Sequence, residues 1–154
     1  MKTLQLAIIA LTLNTGIAIS QNAAKKDPAQ LKRVSMNYEI YEYSEQDGAY
    51  DIVINYDDAN KTIVKGKLKD YDYLNYNSKT FASTDAIVKH YSEMITKAGG
   101  SLVSKSESIA CSNEAGYHSG MGNGAVFKMK QNEKDTWLLV LAKNDGNYKL
   151  LMIE

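Results

Sequence analysis

Residues 62–75 read TIVKGKLKDYDYLN, with Val64, Gly66 and Leu68 on one side of an extended chain and Ile63, Lys65, Lys67, Lys69, Tyr71 and Tyr73 on the other. A period of two over this length marks a strand with one core face and one wetter face. Asp70 and Asp72 share the side of Leu68, so the expectation is a bulge near Lys69 or a sheet that leaves its cover there. The lysine column is expected to be a solvated face that discourages edge pairing rather than an anion site.

Upstream, residues 37–44 alternate with Tyr41 and Tyr43 on one face, Glu45-Gln46-Asp47-Gly48 reads as a turn, and residues 50–56 resume with Tyr50, Ile52, Ile54 and Tyr56 aligned. Asp57-Asp58-Ala59-Asn60 matches an Asx-type turn and lacks the ligand spacing of a calcium loop. Downstream the period changes. Ser83 and Thr84 supply cap hydroxyls, Ile87, Tyr91, Met94, Ile95 and Ala98 recur at helical spacing, and Gly99-Gly100 ends the helix.

Strands are then expected over 102–109, 125–130, 136–143 and 148–153, with Asn144-Asp145-Gly146-Asn147 as a tight hairpin. The run Trp137-Leu138-Leu139-Val140-Leu141 is apolar on both faces and reads as the central strand. The expected fold is α+β, an antiparallel sheet of about six to seven strands with one amphipathic helix packed on one face, in the order βββ-α-ββββ.

Residues 1–20 carry Lys2, an apolar core and Ala18-Ile19-Ser20 before Gln21, the layout of a cleaved export signal. Its apolar run is about ten residues, half the roughly twenty needed to span a bilayer. The expected organisation is a signal peptide at 1–20, a flexible leader at 21–33 around Pro28, and a single domain at 34–154. The single cysteine, Cys111, lies far from the cleavage point, so no lipid anchor is expected. Localisation is expected to be periplasmic or secreted, with no membrane span after cleavage. The chain balances 18 basic against 18 acidic side chains, which leaves no footprint for nucleic acid.

The series Val64-x-Gly66-x-Leu68, a tyrosine strand, Ile87-x3-Tyr91, Ala98-Gly99-Gly100, Trp137-x-Leu139-Val140 and Tyr148-x-Leu150-x-x-Ile153-Glu154 resembles a small α+β envelope module. That module is found alone or N-terminal to OmpA-like peptidoglycan-binding domains in exported Gram-negative bacterial proteins. The resemblance covers roughly residues 34–154 and implies fold and location, since none of its motifs is chemical. His90 stands where relatives often carry asparagine, and the sequence stops at Glu154 without an OmpA-like domain, so wall binding by that route is not expected.

Catalytic patterns are thin. His90 sits on the helix at the edge of its apolar face, and no Walker, dinucleotide, zinc-protease or nucleophile-elbow motif occurs. Residues 111–124 (CSNEAGYHSGMGNG) gather Cys111, His118 and Met121, soft ligands that suit copper, but the second histidine is remote. The plainer expectation is a flexible hairpin connection whose Gly120, Gly122 and Gly124 permit positive φ. A hydrolase centred on this loop, or on scattered carboxylates such as Asp70 and Asp72, is the enzymatic alternative; inhibition of an envelope enzyme is another.

Eleven tyrosines against two phenylalanines suggest a different use. Tyr41, Tyr43, Tyr71, Tyr73 and Tyr76 could line a sheet face that stacks on sugars or peptides. The expected function is therefore a non-enzymatic envelope module without cofactor or resident metal. Its partner is expected to be an envelope protein or a cell-wall glycan, and its state a monomer or weak dimer.

Overall fold

The structure, a computed structural model, describes residues 31–54, 61–77, 79–116, 118–131 and 133–154, with His118 described by its backbone alone. The expected signal, residues 21–30 of the expected leader and the turn at 57–60 lie outside the described residues. Six strands and one helix follow in the order β1 (Tyr38–Ile54), β2 (Lys61–Asn75), α1 (Thr84–Lys97), β3 (Ser101–Asn113), β4 (His118–Gln131), β5 (Lys134–Ala142) and β6 (Tyr148–Ile153). They close into an antiparallel barrel in the spatial order β1-β2-β6-β5-β4-β3.

The expected α+β layering is thereby corrected: the described residues are mainly β, a closed cylinder with a single helix on its outside, in the order ββ-α-ββββ. The error lies at residues 45–48. Glu45-Gln46-Asp47-Gly48 has turn composition, yet it runs straight through β1, because β2 supplies a partner for each position. Glu45 pairs with Lys69, Asp47 with Lys67, and Gly48 with Gly66. Opposite charges set directly across an antiparallel ladder favour that register. Lys67 and Lys69 of the lysine column thus stand opposite acidic residues of the preceding strand.

Two cores result. Inside the barrel all six strands contribute: Tyr50 and Ile52 from β1, Leu68 from β2, Ile109 and Cys111 from β3, Val126 from β4, Leu139 and Leu141 from β5, and Leu151 and Ile153 from β6. Outside it, Ile87, Val88, Tyr91 and Ile95 of α1 cover Tyr73, Phe127, Leu138, Val140, Tyr148 and Leu150. β5 lies between β4 and β6 with both faces buried, which its unbroken apolar run requires. No helix among the described residues is long and apolar enough to cross a membrane.

The outer core is built of tyrosines. Tyr73 stacks on Tyr148 at 4.5 Å between ring centres, and Tyr38 and Tyr91 tilt against the same ring at 5.1 and 5.7 Å. Their hydroxyls are engaged: Tyr38 donates to the Gly146 carbonyl at 2.8 Å, and Tyr91 to the Tyr148 hydroxyl at 3.0 Å. Leu31 is buried in this core, the His90 ring bonds the Lys32 carbonyl at 2.8 Å, and Arg33 donates to the Tyr38 carbonyl. The fold therefore begins by Leu31, ahead of the expected boundary at 34.

Helix α1 begins as its sequence dictates. The Ser83 hydroxyl accepts from the Ala86 amide at 3.2 Å, and Gly99, at φ +82°, turns the chain so that the Gly100 amide reaches the Ile95 carbonyl at 2.8 Å. Ser83→Ala is expected to cost about 1 kcal/mol. That is a fall in Tm of about 4 °C for a domain of this size, measured by thermal circular dichroism.

Candidate functional site: a polar groove beside the end of β6

The five expected site tyrosines do not share one open face. Tyr41 is 67% exposed at a bulge in β1, where the register with β2 shifts between Ile40 and Glu42, and Tyr76 is 62% exposed just beyond β2. Tyr73 is fully buried beneath the helix, and Tyr71 is nearly so. Tyr43 and Tyr71 meet, with ring centres 4.7 Å apart, at the lower margin of the outer core.

Below that pair the sheet face is left open. A groove of about 610 Å³ runs across it, lined by Glu45 of β1, Lys67 and Lys69 of β2, Glu154 at the end of β6, Lys134 and Thr136 of β5, and Gln131 of β4. The Lys69 ammonium meets the Glu154 carboxylate at 2.7 Å, and Lys67 lies 3.7 Å from Glu45. The Tyr43 hydroxyl donates to Glu45. That bond, aided by Lys67 and Lys69, holds the Glu45 carboxyl below its ordinary range, while burial pushes Tyr71 up. Lys134 has no carboxylate partner among the described residues.

Sequence reasoning missed this groove except for Lys67 and Lys69, which it read as a bare solvated column. The available signal was the pairing of acidic 45–47 with basic 67–69, hidden because 45–48 looked like a turn.

A second polar cluster closes one end of the barrel interior. Lys149 donates to both carboxylate oxygens of Asp70, at 3.2 and 2.9 Å, and to the Ser119 carbonyl at 3.3 Å; Lys143 donates to both oxygens of Asp72, at 2.9 and 3.0 Å. Neither expectation for Asp70 and Asp72 holds. β2 runs without a bulge at Lys69, and their side of the strand is the barrel interior, where β6 and the 143–147 turn deliver two lysines. Burial pushes the Asp70 carboxyl up against the pull of Lys149. Burial lowers Lys149 in turn, but Asp70, Asp72 and Glu42 together raise it above its ordinary range. Two carboxylates clamped by ammonium groups form a closed ion network.

The soft-ligand trio is not assembled. Cys111 lies fully buried inside the barrel, whereas Met121 is 60% exposed on the outside of β4; the His118 side chain is outside the described residues. No group of three or more His, Cys, Asp or Glu among the described residues is placed to hold a metal ion. Of residues 111–124, 111–113 and 118–124 are the paired ends of β3 and β4, with a turn at 114–116 between them, and of the four glycines only Gly116 has positive φ. Gly120, Gly122 and Gly124 serve close approach instead. A side chain at 120 would meet Leu141 at 2.8 Å, one at 122 the Ala142 carbonyl at 2.9 Å, and one at 124 the Val140 carbonyl.

No family model, curated protein or solved structure matches this chain. The groove and the internal network therefore carry the functional argument by their own chemistry.

Several groups share one electrostatic trend. Burial raises the Cys111 thiol from 9.0 to about 12, with the charges of Asp70 and Asp51 adding to it. Burial also raises Tyr43, Tyr50 and Tyr71, and the bond to Glu154 raises Lys69. In each case the folded state keeps a proton that the unfolded chain releases first. The associated stability is fully present below pH 9.0, where the unfolded thiol begins to ionise, and is lost as pH rises. Tm is expected to be level from about pH 6 to 8 and to fall steadily above about pH 9. Cys111→Ala should delay the onset by about one pH unit, to where tyrosines titrate, and an unshifted onset would remove the thiol from this account.

Proposed function

We propose that this chain is an exported, non-enzymatic module of the bacterial cell envelope that binds a partner, an envelope protein or a cell-wall component, in the groove between β2 and β5. The resemblance to the small envelope module and the signal-like residues 1–20 support the location. The groove carries the binding role: it lies on a part of the barrel's outer face that α1 leaves uncovered, and Tyr43 and Tyr71 border it. Its lining mixes ammonium, carboxylate, amide and hydroxyl groups, which suits a polar ligand with both charges. Catalysis is disfavoured by the same chemistry. Glu45 and Glu154 are each tied to a lysine, and among the described residues neither cysteine nor histidine lines the groove.

The test is retention of the exported form on purified sacculi and on immobilised envelope proteins. Retention above an inert exported control is expected on one of the two. The double reversal Lys67→Glu, Lys134→Glu should lower it about tenfold, as rim charges commonly do, with Tm within about 3 °C of the parent. Retention no better than the control, or indifferent to the reversal, sinks the proposal.

A further inference from the structure

β6 leaves the barrel wall one strand short on one side of the groove. Its last bonds to β2 run from the Lys67 amide to the Glu154 carbonyl at 2.9 Å and from the Glu154 amide to the Lys67 carbonyl at 3.1 Å. β2 extends beyond that point over residues 61–66, paired along one edge with β1 from Gly48 to Val53. Its other edge has no strand among the described residues. Across the gap, β5 begins at Lys134, whereas its pairing with β6 begins at Trp137.

The direction of the free backbone groups follows from alternation. Lys67 directs its amide and carbonyl toward β6, so Lys65, Ile63 and Lys61 direct theirs the same way, into the gap. The inner wall of the gap is apolar: Ile54, Val64 and Trp137 pack against the interior core but remain partly open. Ile63 is exposed on the outer side, as are Lys61 and Lys65. Lys61 is held by Asp51 at 2.6 Å, and Lys65 has no carboxylate partner among the described residues.

We propose that residues 61–66 are an open strand edge that accepts an extended acidic segment of a partner polypeptide, laid antiparallel to β2 in the gap beyond β6. This rests on the groove as the binding site, because the same gap opens into it between Lys67 and Lys134. Main-chain bonds to Lys61, Ile63 and Lys65 provide affinity, alternate apolar side chains of the guest cover Val64 and Trp137, and its outward carboxylates meet the lysine column. A second copy of this chain is a poor occupant, since two such edges would set Lys61 and Lys65 against their own counterparts.

The probe is a synthetic ten-residue peptide alternating Glu and Val, compared with its Lys-Val counterpart and with a Glu-Val peptide N-methylated at alternate amides. The Glu-Val peptide is expected to slow amide exchange at Lys61, Ile63 and Lys65, and to bind about tenfold more tightly than either control. Ile63→Pro removes an amide that faces the gap rather than β1, and should abolish peptide binding. Lys65→Glu, at an exposed site where folding is insensitive, should shift the preference toward the Lys-Val peptide by about tenfold. Absence of protection at these amides, or equal binding of the N-methylated peptide, overturns the proposal. So does protection that grows with protein concentration without peptide, which would place a second copy on the edge. If sacculi or envelope proteins still retain the chain while the peptide protects nothing, the strand edge fails and the groove reading stands. If Lys67→Glu, Lys134→Glu leaves that retention unchanged, the groove reading fails on its own.

Discussion

Lys149→Met is expected to lose about 2–3 kcal/mol of stability at neutral pH, somewhat less than the 3–5 kcal/mol typical of breaking a fully buried ion pair, because the lysine keeps 21% of its side chain exposed. Methionine retains the stem that lies along the Gly120 backbone and removes only the charge. Asp70 is then left buried beside Asp72 and Glu42 without its ammonium, so its carboxyl, already raised by burial, rises further. A carboxyl whose folded pKa exceeds its unfolded value opposes folding once it must ionise, and the penalty disappears where it is protonated in both states. The defect of Lys149→Met should therefore be largest above about pH 6 and shrink toward about pH 4. Urea melts at the two pH values read this directly. The pair Asp70→Asn, Lys149→Met should recover most of the loss at neutral pH, as removal of both partners does. A Lys149→Met defect that is the same at both pH values would show that the lysine acts by packing alone.

Gly124→Ala is expected to be the most damaging single methyl in the chain. Gly124 sits in β4 opposite Leu141 of β5, and its missing Cβ would fall on the Val140 carbonyl and crowd the Leu141 Cα at 3.2 Å. Backbone atoms of a central strand cannot step aside as a flexible side chain can. The cost should reach or exceed about 3 kcal/mol, the upper end for overpacking, lowering Tm by more than about 10 °C. Gly116→Ala is the matched control. That glycine has φ +75° but nothing within 4 Å of the added methyl, so only the backbone term of about 1 kcal/mol applies. Equal losses at the two positions would show that conformational freedom, not proximity, governs the β4 glycines.

What could be read from the sequence was what local chemistry decides. The period of two in β2, the capped helix, the Asn144-Asp145-Gly146-Asn147 hairpin, where the Lys143 amide bonds the Asn147 carbonyl at 2.8 Å, and the doubly apolar β5 all follow from neighbours in the chain. What could not be read was decided by partners distant in sequence. Residues 45–48 are strand because residues 66–69 of β2 pair with them across the ladder, and the β4 glycines are close-approach positions because β5 runs beside them. Asp70 looked misplaced until Lys149, seventy-nine positions later, arrived on the same inner face. The groove shares that origin, since four different strands and the end of β6 supply its lining.

The barrel has two seams of a different kind from the rest. β1 with β2, and β3 to β6, form by successive hairpins, but β1 meets β3 only through Tyr50 with Asn113 to Ile54 with Ile109, across β2 and α1, and β2 meets β6 through Leu68 with Ile153 to Tyr73 with Tyr148, across α1, β3, β4 and β5. Joining such distant segments carries a loop-closure entropy that the hairpins do not, so these two seams zip after the hairpins during folding. Interactions made after the rate-limiting step set how fast the native state comes apart rather than how fast it forms. The lifetime of this cylinder, as distinct from its equilibrium stability, is therefore governed by Tyr50, Ile52, Ile109 and Cys111 at one seam and by Leu68, Leu151 and Ile153 at the other, the inward side chains that hold the two seams shut.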